Sequence, residues 1–118
     1  MRLRVLAGSF GGVRAPVEVL SPMFYVDAHM PSESELSLPP EHEERALYVV
    51  EGRVDCGGTL AEPGRMLVLP SGGTPKLRAE HATRLVLLGG APLEGPRYID
   101  WNFISSSKDR LAQARLDW

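Results

Sequence analysis

The sequence predicts an all-β fold, a single small β-barrel or jelly-roll sandwich with one short C-terminal helix. Apolar runs of four to eight residues recur between turn signals, the runs are rich in β-branched and aromatic residues, and helical patterning is confined to the tail. In chain order the runs are Leu3 to Leu6, Met23 to Met30, Ala46 to Val50, Met66 to Leu69, Arg84 to Leu88 and Tyr98 to Ile104. Tyr25, Val26, Tyr48, Val49, Val50, Val68, Val86 and Ile99 suit a pleated surface. Between the runs stand Gly11-Gly12, Pro39-Pro40, Gly57-Gly58, Pro63-Gly64, Gly72-Gly73 and Gly89-Gly90, which supply the positive or fixed φ that a reversing chain needs. The tail predicts a helix over about 107–116, packed outside the barrel, with Ser106 and Asp109 spaced as a variant capping box ahead of Leu111, Ala112, Ala114 and Leu116.

Composition narrows the function. The 118 residues make one domain, 1–118, with strands over about 2–104. A formal charge of −2 leaves no broad basic field for a phosphate backbone, so nucleic acid is not an expected partner. The single cysteine, Cys56, excludes an intramolecular disulfide and a thiolate-rich metal site, and reads as structural. No apolar run is long enough for a signal peptide or a membrane helix, which makes the cytoplasm the expected compartment. Trp101, Phe103 and Trp118 read as core or interface packing, since no basic run accompanies them.

Three runs, Ala46 to Val50, Met66 to Leu69 and Leu85 to Leu88, are apolar at both parities. A strand with one wet face alternates, so both faces of these strands are expected to be covered. Loops and the helix are one possible cover, in a monomer. A helix of about ten residues spans roughly 15 Å, too little for three strands, so the stronger expectation is a homodimer or a second cupin-like domain.

Glu43 to Gly52, followed by Pro63 to Gly72, resembles the two linked signature motifs of the cupin superfamily. The close, Leu87 to Leu93, then Trp101 to Arg110, then Asp117-Trp118, is similar to the end of the second cupin domain of the pirin family. The resemblance implies a cupin fold. In two-domain members it implies a metal in the first domain, iron or another divalent ion, with quercetin-oxidising activity and iron-linked regulatory roles; this chain resembles the second half.

A cupin metal site implies a His-x-His pair, a Glu seven residues before the first motif's closing glycine, and a His three residues beyond the second motif's Pro-x-Gly. Counting back from Gly52 gives Arg45; the histidine positions fall within Leu38 to Glu41; counting on from Gly72 gives Pro75, with Leu77 and Ala79 near it. No cofactor is therefore expected. A site built from His29, His42 and a glutamate, Glu41 among the candidates, is the alternative, while His81 reads as an exposed turn residue. The acidic stretch Pro31 to Glu44 reads as a solvated loop and edge strand, or alternatively as a cation-binding lip.

In the motif's register Arg45 points into the interior, where it would hold a carboxylate or phosphate ligand; the alternatives are an ion pair with Glu43, Asp27 or Glu80, or a one-residue slip that turns it outward. The reading as a whole is a non-catalytic binding or scaffolding module, self-associated and without metal. Its rivals are a metal-dependent dioxygenase or isomerase with atypical ligands, and a partner subunit for a metal-bearing cupin chain.

Overall fold

The computed structural model describes all residues, Met1–Trp118. The chain forms β1 (Arg2–Phe10), β2 (Val13–Arg14), β3 (Met23–Met30), β4 (Ser34–Ser37), β5 (Glu44–Glu51), β6 (Val54–Cys56), β7 (Thr59–Ala61), β8 (Met66–Leu69), β9 (Lys76–Ala79), β10 (Thr83–Gly90), β11 (Tyr98–Asp100), β12 (Phe103–Ser105) and α1 (Lys108–Asp117). Every strand pairing is antiparallel. A six-stranded sheet runs β2-β1-β3-β10-β5-β8, a four-stranded sheet runs β4-β9-β6-β7, and β11 with β12 makes a separate hairpin. The two larger sheets form a sandwich whose hydrogen bonding does not close into a continuous barrel.

Alternation explains the core. On β5, Arg45, Leu47 and Val49 point inward, with Leu47 opposite Leu87 on one side and Leu67 on the other. Phe24, Val26, Ala28 and Met30 of β3 and Leu85 and Leu87 of β10 extend that face. The smaller sheet supplies Leu36, Val54, Ala61, Leu77 and Ala79 to the same cluster. Burial of about a dozen such side chains at roughly 1.5–3 kcal/mol each is the main force holding the sheets together.

The strands invisible as apolar runs are the short ones. In β4 and β9 only Leu36, Leu77 and Ala79 face inward and the alternate positions are polar, so each has the pattern of a strand with one wet face. The acidic stretch before β5 does contain an edge strand, β4, as the loop-and-edge reading has it. β1 outruns the segment Leu3 to Leu6 because its register shifts between Val5 and Ala7, a bulge that breaks the alternation.

Tyr98 to Ile104 is not one strand. The chain folds back at Trp101, whose φ is 53°, and Asp100 pairs with Phe103 across the turn. The helix begins one residue later than the predicted capping box: Ser107, not Ser106, caps it, its Oγ accepting from the Arg110 N–H at 3.4 Å. Its main packing surface is the β11–β12 hairpin rather than the barrel wall, and Leu111 is its one buried residue. An ion pair from Arg115 to Asp100 (2.9 Å) and Lys108 Nζ 4.9 Å above the Tyr98 ring tie helix to hairpin. This unit lengthens the molecule to 53 × 28 × 25 Å, and the radius of gyration is 16.6 Å. A compact chain of this length would have about 13.5 Å. No helix is long and apolar enough to cross a membrane.

Candidate functional site

Arg45 is the one arginine inside the sandwich, 2% exposed. Its inward parity follows from the β5 register and excludes the one-residue slip. None of the predicted acidic partners meets it. Instead Nη1 donates to the carbonyls of Gly73 (3.1 Å) and Pro39 (3.4 Å), and Nη2 donates to those of Pro70 (3.3 Å) and Gly72. Nε is buried without a partner. Both Nη groups are thus committed to loop backbone rather than free for an anion.

The metal implied by the cupin resemblance does not fit these donors. A transition ion wants imidazole and carboxylate, whereas here carbonyl oxygens surround a cation that is already present. Nowhere do three His, Cys, Asp or Glu side chains come together as a ligand set.

His29 and His42 stand apart. His29 lies near the end of β3, opposite Arg2 and Arg84. His42 stacks on Phe24 at the other end of that strand, with centroids 4.9 Å apart. Phe24 and His29 are separated by five strand residues, about 17 Å, so His29, His42 and a glutamate cannot share one ion. His42 and Glu41 act locally: His42 Nε2 donates to the Ser9 carbonyl (3.0 Å), and Glu41 accepts from the Gly11 N–H (3.2 Å). Together they fasten the β4–β5 connection to the β1–β2 hairpin. His81 is exposed, as a turn residue should be.

Sequence reading missed the groups around His29. Asp27 accepts from Arg84 Nε at 2.9 Å and lies 3.3 Å from His29 Nε2, which is itself 3.2 Å from an Arg2 nitrogen. One ring nitrogen can serve only one of these neighbours at a time. The Arg84 hydrogen bond, aided by its charge and by His29, holds the Asp27 carboxyl below its usual range despite desolvation. Residues from β1, β3, β5 and β10 meet here beside an open cavity of about 510 Å³, lined by Arg2, His29, Glu51, Thr83 and Arg84 among others. Asp27 and His29 share one face of β3 two residues apart, but only the strand register brings Arg2 and Arg84 to them, which no local motif discloses. Cys56 is free, and burial, then Asp55, pushes its thiol up, which suits a structural cysteine.

The outer face of the six-stranded sheet carries the second parity of the apolar strands. Val68 is 79% exposed, and Met66, Tyr48, Val50 and Tyr25 are exposed around it, with Ala46, Val86 and Leu88 half-buried between them. Neither loops nor the helix covers this face. Trp101 and Trp118 are not core residues either, at 68% and 81% exposed, although they pack edge-on with each other and with Phe103.

Residues 25–118 match the Pirin C-terminal cupin domain. A pirin-like protein of Caulobacter vibrioides is 42% identical over 118 residues, which is 100% of this chain and 41% of that protein. A crystal structure of quercetin 2,3-dioxygenase from Acinetobacter baumannii superposes with a TM-score of 0.88 at 27% identity, covering 98% of this chain and 41% of that one. A bacterial pirin from Escherichia coli, in complex with nickel(II), shares the fold at a TM-score of 0.64 and 16% identity, over 78% of this chain and 40% of its own. The chain spans about two-fifths of the length of these relatives. On the family match and the cupin sandwich together, the chain belongs to the pirin family, in the part that forms its C-terminal cupin domain.

Proposed function

We propose that this chain is a non-catalytic binding or scaffolding module of pirin type, working without a transition metal and associating with a second copy of itself. The observation that carries this reading is Arg45, a buried guanidinium where the cupin motif calls for a metal-binding glutamate. A like charge at that point repels any divalent ion in a medium of low dielectric. The anionic ligand that the sequence suggested near Arg45 would have to displace four carbonyls from the same N–H groups, so the reading puts association ahead of anion capture.

Association is supported by the uncovered face. Its exposed apolar side chains present on the order of 500 Å², and those of Ile99, Trp101, Ile104, Leu116 and Trp118 rather more. A standard interface takes roughly 800 Å² per partner. A second reading, a partner subunit for a metal-bearing cupin chain, rests on the same uncovered face, which a second cupin domain would cover as well as a second copy does.

The test is the metal content of the purified full chain together with its mass by light scattering. A metal-free dimer is expected. Near-stoichiometric iron, nickel, manganese or zinc would overturn the reading in favour of a dioxygenase or isomerase with atypical ligands. A monomer that forms a defined complex only with a metal-bearing cupin would favour the second reading.

A further inference from the structure

The surroundings of Arg45 have the polarity of a cation site. Its four hydrogen-bond acceptors come from two connections, Pro39 between β4 and β5, and Pro70, Gly72 and Gly73 between β8 and β9. The chain's ion pairs lie elsewhere, at Asp27, Glu33 and Asp100, and none reaches Arg45. A buried charge normally takes a counter-ion. Here the negative ends of four carbonyl dipoles do that work, the device by which backbone oxygens replace a hydration shell. The same dipoles would repel an anion.

The double glycine that sequence reading treated as a plain turn explains how the carbonyls converge. Gly72 has φ +79° and Gly73 φ +65°, and no atom lies within 4 Å of the Cβ position at either. Conformation, not lack of space, selects glycine there. Two successive left-handed residues let neighbouring carbonyls address one guanidinium.

We propose that the end of the sandwich between these two connections is a cation-binding hollow whose resident is the chain's own Arg45, and that it accepts a free guanidinium-type cation once that side chain is removed. The ligand class follows from geometry. Four oxygens divided between two Nη atoms match a planar fork of N–H donors, which a compact ammonium cannot reproduce. This inference does not depend on the association reading, because its readout is thermal unfolding and not mass.

The experiment compares the full chain with Arg45→Ala by thermal unfolding, each with methylguanidinium chloride at about 20 mM, or with methylammonium chloride at equal ionic strength. Arg45→Ala is expected to melt on the order of 10 °C below the parent. Methylguanidinium should recover several degrees of that loss and methylammonium none, while the parent gains from neither. Equal effects of the two salts on the variant would overturn the proposal. Arg45→Lys and Arg45→Met supply an independent arm should Arg45→Ala fail to fold. Retained charge should keep Arg45→Lys above Arg45→Met in Tm, and the reverse order would mean that the hollow wants volume and not a cation.

Discussion

Replacing Val68 by Glu puts a carboxylate in the middle of the uncovered sheet face without disturbing the core, because Val68 is 79% exposed and its neighbours on β8, Leu67 and Leu69, keep their inward packing. If a second copy covers this face, covering most of a valine is worth about 1–2 kcal/mol. A carboxylate desolvated there without a partner costs roughly 1–3 kcal/mol more. The change therefore weakens association by about 3 kcal/mol, which is on the order of a hundredfold in Kd at 1.4 kcal/mol per decade. In a two-fold pair it occurs twice, so a hundredfold is the lower bound. Sedimentation velocity over a wide concentration range measures it, with Lys76→Glu on the opposite sheet as the control. A Val68→Glu chain that sediments like the parent, with thermal stability unchanged, would refute the assignment of this face as the interface.

Three other outcomes follow from the same geometry. Gly52→Ala should destabilise strongly: its φ is +80° and a Cβ would stand 2.5 Å from Thr83 Oγ1 and 2.6 Å from the Ala82 carbonyl, so chemical denaturation should show a loss of more than about 1 kcal/mol. Thr83→Val should cost about 1 kcal/mol in the same assay, because the Thr83 hydroxyl accepts from the Arg53 N–H and donates toward the Arg53 or His81 carbonyl. Asp27 titrates below its ordinary value of 3.8 in the folded chain, so its stabilising effect is complete at neutral pH and fades as the pH falls below about 4. Asp27→Asn should accordingly be less stable than the parent at pH 7 and converge with it on acidification, followed by thermal melts across that range.

Much of the architecture is legible in the sequence. Met23–Met30 and Met66–Leu69 are strands with the bounds that their apolar runs suggest, and the tail helix lies within a residue of its predicted span at each end. The failures share a cause. β4, β6, β7 and β9 bury only one or two side chains each, too weak a periodic signal in strands of three or four residues. The Tyr98 to Ile104 run hides a reversal because the turn uses Trp101 in a left-handed conformation that no turn rule assigns to tryptophan.

The site divides along the same line. Apolar residues at both parities determined that three strands would carry apolar side chains on both faces, while the resemblance to the cupin motif implied an inward Arg45 and left an outward slip open. Only the folded chain decided what that arginine touches, since its partners are backbone carbonyls, which every residue possesses and no sequence pattern marks. Cross-strand register, likewise, brings Asp27 to Arg84 across 57 positions. Hydrophobic alternation is a local property written into each strand, whereas the meeting of distant polar groups depends on which strands pair and where their loops close.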